Sequence, residues 1–158
     1  MKFTMTSTIF PSIAALVLAV GFAIPAAYAS DQQKCSNATL KGSFGYTATG
    51  TLINVPAPVA GPFGEVGRQT FDGNGNTEAT ATLIANDGNV QKVTVVGTYT
   101  VNPDCTGSWT TEVSPLGFIV TADFVIDNDG LEIRTIDTGG FAVETRVYTK
   151  QFQRDDQQ

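Results

Sequence analysis

The stretch FDGNGNTEATATL, residues 71–83, admits two readings, and they lead to different folds. Asp72, Asn74, Asn76 and Glu78 stand at alternate positions, a spacing at which side-chain oxygens can wrap a calcium ion. The same residues can form a tight turn between two strands. An EF-hand loop needs Gly at its sixth position and Glu at its twelfth. Counted from Asp72, those positions hold Thr77 and Leu83. Glu78 alternates with Ala79 as in a strand. The turn reading accounts for more of the stretch: a strand ends at Phe71, Asp72 and two glycines reverse the chain, and a strand resumes at Thr77. No metal site is expected here or at DNDG, 127–130.

Working outward, the same punctuation recurs. NDGN falls at 86–89, NPDCTG at 102–107, SPLG at 114–117, DNDG at 127–130 and DTGG at 137–140. Asp-Gly and Asn-Gly pairs tolerate the positive φ that hairpin turns demand. Between the turns the chain is rich in Thr, Val, Ile and Phe, the residues that suit a pleated, half-buried surface. Eight strands are predicted, at 39–53, 65–71, 77–85, 90–101, 107–113, 118–126, 131–137 and 141–152. One connection is different: NVPAPVAGPFGE, 54–65, carries three prolines and no strand pattern. It is expected to be a surface loop near one end of the fold.

Alternation assigns the faces. Phe118, Val120, Ala122, Phe124 and Ile126 share one face, opposite Thr121, Asp123 and Asp127. Leu40, Phe44, Tyr46 and Ala48 oppose Lys41, Ser43, Thr47 and Thr49. In the last strand Phe141, Val143 and Val147 are expected to face the core, with Glu144, Arg146 and Lys150 toward water. One apolar and one polar face marks an antiparallel sheet. The expected fold is therefore all-β: a single antiparallel eight-stranded up-and-down barrel, closed so that no edge is bare. A two-sheet β-sandwich is the alternative.

The first 29 residues read as a secretory signal. Lys2 is its only charge, IAALVLAVGFAI at 13–24 is its apolar run, and AYA at 27–29 offers the small residues of a cleavage site near Ala29 and Ser30. The run of 12 residues falls short of the roughly 20 that a spanning helix needs. A single domain, 30–158, is expected to follow, secreted or periplasmic, with no stable membrane insertion once the signal is removed. Without Lys2 the chain holds 8 Lys and Arg against 15 Asp and Glu, a formal charge of −7 where the whole chain carries −6. Such an acidic chain argues against nucleic acid and anionic membrane surfaces as partners. It leaves a small neutral ligand open. Cys35 and Cys105 are the two cysteines. In an oxidising compartment one disulfide is the default, with free thiols or an intermolecular bridge as alternatives.

With no histidine in the chain, the usual serine and cysteine hydrolase arrangements are excluded. There is no GxSxG elbow and no phosphate loop. Carboxylates remain: Asp123, and Glu144 with Arg146. Each would act as a proton-transfer group only if it pointed into a dry interior, and a wet strand face is the ordinary place for such residues. The aromatic residues on the strands have two readings, core packing or the walls of a pocket. An eight-stranded barrel is just wide enough for one small ligand. If it is hollow, Phe44, Tyr46, Phe118, Phe124 and Phe141 are the expected ligand-binding walls. No cofactor is indicated.

CSNATLKGSFGYTATG, FDGNGNTEA, GTYTVNPDCTGSW and DNDGLEIRTIDT together resemble a group of exported bacterial proteins of unassigned function. The shape this implies is similar to the small calycin-type barrels of the allene oxide cyclase and dirigent families. The resemblance implies a barrel with a single disulfide, and it carries over no catalytic motif. Three functions follow as expectations: a secreted barrel binding a small apolar or aromatic ligand, a ligand-free structural or surface-interaction module, and a cofactor-free isomerase or cyclase.

Overall fold

The computed structural model describes residues 34–151. The expected signal segment and Phe152 lie outside them. A 3-10 turn, Asn37–Leu40, precedes eight strands: β1 Gly42–Leu52, β2 Gly61–Phe71, β3 Asn76–Ile84, β4 Val90–Val101, β5 Thr106–Ser114, β6 Phe118–Asp127, β7 Glu132–Asp137 and β8 Ala142–Lys150. Each strand pairs antiparallel with the next, and β8 pairs back onto β1 to close the barrel. The sandwich alternative is thereby set aside. Among the described residues no helix is long and apolar enough to cross a membrane.

Residues 71–83 form the β2–β3 hairpin. Asp72 caps its own turn: Oδ1 accepts from the backbone N–H of Asn74 (2.6 Å) and Asn76 (3.0 Å), and Oδ2 accepts from the Asn76 side chain (2.6 Å). The Asn76 side-chain bond, followed by the backbone bonds, lowers the carboxyl pKa to about 2. This is the local chemistry of an Asx turn.

Most strand ends differ from the sequence expectation by a residue or two, and two of the differences shape the interior. Thr39 and Leu40 belong to the 3-10 turn, which brings Leu40 into the core. More consequentially, β2 begins at Gly61, so residues 61–65 of the expected proline-rich loop are strand. Pro62 is tolerated because it falls at the start of the strand on its exposed side. The added residues place Phe63 on the inner face, in step with Glu65.

The interior has two halves. At one end the 3-10 turn plugs the barrel. Leu40 is fully buried, Asn37 Oδ1 accepts the Val101 N–H at 2.8 Å, and the Tyr99 hydroxyl donates to the Asn37 carbonyl at 3.0 Å. Cys35 is bonded to Cys105 in the β4–β5 turn, 70 positions along the chain, which ties the plug to the rim. Above the plug the aromatic rings interlock. Phe71 meets Phe44 and Tyr99 edge-on at 5.5 and 5.0 Å, and Trp109 lies 5.1 Å from Phe124. Such pairs add to the stability given by burial alone. At the other end, beneath the β1–β2 loop, this packing stops.

Candidate functional site

Where the packing stops, the barrel encloses a cavity of about 300 Å³. That is the lower end of the range of pockets that hold small organic molecules. Trp109 and Tyr148 line its inner part, in contact with each other at 5.5 Å. Leu116, Phe118 and Phe141 line it toward the mouth, and Phe118 and Phe141 stack at 5.9 Å. Val59, from the proline-rich loop, also lines it.

The structure reverses the expected faces of β8. Ala142, Glu144 and Tyr148 are buried and Arg146 is largely so, while Val143 and Val147 are 65% and 47% exposed. Tyr148 decides the register. It is the residue that fills the interior, against Tyr46 at 4.6 Å and Trp109. The strand period of two then commits Glu144 and Arg146 to the same face. Phe141 lies before the strand and takes no part in its alternation, so it lines the cavity although Val143 points outward. The outer valines still suit a strand, because β-branched side chains favour extended backbone wherever they point. Asp123, by contrast, is on the exposed face as expected.

A charged cluster results on one wall of a mostly apolar cavity, which Gln69, Gln91 and Thr111 also line. In β1, Tyr46, Ala48 and Gly50 follow Phe44 on the inward face. Glu65 of β2 and Arg146 of β8 both stand opposite Ala48. The single methyl between them leaves room for the long side chains to meet, with Arg146 Nη2 at 3.4 Å from Glu65 Oε2. Arg146 also donates to Glu144 Oε1 from Nε (2.7 Å) and Nη2 (2.6 Å). The Tyr46 hydroxyl donates to Glu65 Oε1, and the guanidinium lies 5.5 Å from the centre of the Tyr46 ring. Tyr46 can lie there because its partner across the ladder is Gly67. A Cβ at position 67 would come within 2.6 Å of Tyr46 Cζ.

Burial sets the protonation of this cluster. It raises the Glu144 carboxyl pKa, against the opposing pull of Arg146. Burial, then the neighbouring Glu65 carboxylate, holds the Tyr46 phenol well above its ordinary value. Burial does the same for Tyr148. Burial opposes the charge on Arg146, yet the surrounding Tyr148, Glu65 and Glu144 outweigh it and keep the guanidinium protonated. Among the described residues the buried Tyr148 hydroxyl has no hydrogen-bond partner, although Arg146 stands near enough to oppose part of the effect of burial on it. A buried hydroxyl without a partner is uncommon enough to call for an explanation, such as water or a ligand.

Of the five expected ligand-binding aromatics, Tyr46, Phe118 and Phe141 line the cavity. Phe44 and Phe124 are buried in the solid half, and neither lines it. Residues that the sequence reading did not place in the site are Glu65, Trp109 and Tyr148. Gly67, in a strand interior, was the available signal, since a glycine there often marks a close approach by another group.

No family model matches this chain, and no curated protein matches it. Solved structures do. A redesigned β-barrel, b11L5F_LGL, is 15% identical with a TM-score of 0.53, covering 73% of this chain and 95% of its own. Another redesigned β-barrel, mFAP1, whose structure is of a complex with DFHBI, is 17% identical with a TM-score of 0.51, covering 72% and 97%. EF1p2_mFAP2b, also bound to DFHBI, is 15% identical with a TM-score of 0.51, covering 72% and 94%. At these identities the likeness is one of fold: a small, closed, eight-stranded barrel.

Proposed function

We propose that this protein is an exported barrel that binds a small, largely apolar aromatic molecule inside its open half. The observation that carries the reading is the cavity of about 300 Å³, walled mostly by aromatic and aliphatic side chains and holding one charged cluster beside the buried Tyr148 hydroxyl, which has no hydrogen-bond partner among the described residues. Apolar walls supply affinity, and a few placed polar groups orient the ligand. That two barrels of the same fold are bound to DFHBI supports the reading as an analogy of shape. The disulfide between Cys35 and Cys105 supports an oxidising compartment outside the cytoplasm, secreted or periplasmic. In this proposal the mature chain begins at Ser30, which N-terminal sequencing of the exported protein checks. Kinship with the allene oxide cyclase and dirigent barrels is part of the same proposal.

The test is a titration with N-phenyl-1-naphthylamine, a neutral dye that brightens in apolar surroundings. The wild type is expected to bind one equivalent saturably, and Val120→Phe, which fills the cavity, to bind less. Absence of brightening in a folded wild-type protein would leave the ligand-free structural module as the better reading.

A further inference from the structure

The cavity's charges are unequal. Among the described residues that line it, the charged ones are Glu65, Glu144 and Arg146: two carboxylates and one guanidinium. Arg146 is engaged through two of its three nitrogens. Its Nε and Nη2 face Glu144, Nη2 also faces Glu65, and the guanidinium carbon lies 5.5 Å from the centre of the Tyr46 ring. One cation thus stands against two carboxylates. Glu65 engages both oxygens, with Tyr46 and Arg146. Glu144 accepts through Oε1, and Oε2 has no hydrogen-bond partner among the described residues. The Tyr148 hydroxyl, buried in the same wall, also has no hydrogen-bond partner among the described residues. Asp137, at the end of β7, adds negative potential at Glu144. The aromatic rings around the cluster present electron-rich faces, which favour a cation over an anion.

Resting on the reading that the cavity is a ligand site, we infer that it selects aromatic amines: planar rings that carry a protonated nitrogen into the Glu65–Glu144–Arg146 cluster. Such a ligand brings the positive charge the cluster lacks, donates an N–H to Glu144, and lays its ring against Trp109 and Phe141. An isosteric carboxylate would set a third negative charge beside two buried ones, and like charges at close quarters are strongly disfavoured.

Three molecules of one shape test this: 2-naphthylmethylamine, 2-methylnaphthalene and 2-naphthoate, each titrated against the reduced-salt wild-type protein at neutral pH. The amine is expected to bind at least about tenfold more tightly than the carboxylate, with the hydrocarbon between them. Glu65→Gln and Glu144→Gln, each confirmed as folded by its circular dichroism, should shrink that ratio. If either variant fails to fold, the wild-type series still decides. A carboxylate that binds as well as the amine, or a ratio that neither variant changes, would overturn the inference while leaving the ligand site intact. Binding of the hydrocarbon without the amine would do the same. Failure of all three to bind would overturn both the inference and the ligand site.

Discussion

Replacing Arg146 by Met tests whether the polar cluster is buried and interdependent. The methionine keeps much of the side chain's apolar stem and removes the charge. Two carboxylates then share one wall with no cation between them: Glu144, which loses two short contacts at 2.6 and 2.7 Å, and Glu65, which loses one at 3.4 Å. Breaking a buried pair by removing one partner costs about 3–5 kcal/mol, because the remaining charge is uncompensated. The Arg146 side chain retains 15% exposure beside a cavity, so the lower end, about 3 kcal/mol, is expected at neutral pH. The loss should depend on pH. Glu144 has a raised carboxyl pKa when folded, and it should rise further without Arg146. A carboxyl whose folded pKa exceeds its unfolded value, about 4.3, stabilises the fold most below that value, and the benefit is lost as pH rises through the folded pKa. The deficit of Arg146→Met should therefore be small near pH 4 and grow toward its full size at neutral pH and above. Urea unfolding of wild type and variant across that range measures it. Adding Glu144→Gln to Arg146→Met should recover part of the loss at neutral pH, as expected for residues in contact. A deficit below about 1 kcal/mol that does not change with pH would mean a solvated surface pair and refute the reasoning.

The division of the interior into solid and hollow halves predicts unequal truncations. Phe124→Ala, beside Trp109 in the solid half, should cost about 3–5 kcal/mol, and Phe118→Ala, 44% exposed at the mouth, well under half of that by the same urea assay. Gly67→Ala should push Tyr46 off the barrel wall, weakening dye binding more than it lowers the melting temperature; unchanged dye affinity would show that Tyr46 does not shape the cavity. Intact-mass analysis after thiol labelling should find no free thiol until the protein is reduced. Cys35→Ser with Cys105→Ser should then lower stability by up to about 4 kcal/mol, the chain-entropy value for a loop this long.

Much of the fold was legible because turns and alternation are local. The Asp-Gly and Asn-Gly punctuation located the hairpins, and Phe44, Tyr46, Ala48, Val120, Ala122, Phe124 and Ile126 fell on the inner face that alternation assigns them. The site was less legible because its decisive element breaks the rule that apolar means inside. In β8 either set of alternate residues could face inward, and hydrophobicity favours Val143 and Val147. What reverses the choice is the fit of Tyr148 against Tyr46 and Trp109, and the salvage of Glu144 and Arg146 by each other and by Glu65. Those partners lie on strands far apart in the chain, so the compensation exists only once β8 has closed onto β1. Glu65 was missed for a different reason: it opens the expected second strand and closes the expected proline-rich loop, and that strand was given no inner face, although alternation with Phe71 turns Glu65 inward.

Trp109 is the chain's one tryptophan, and it lines the cavity. Energy transfer from Trp109 to N-phenyl-1-naphthylamine therefore reports on that space directly, in the intact protein and without any substitution. The barrel's hollow half predicts saturable quenching of Trp109 as the dye brightens, with both signals following one curve at one dye per chain, and both lost in Val120→Phe. Dye that brightens without quenching Trp109, or no saturable change up to the solubility of the dye, would contradict a ligand site inside the barrel.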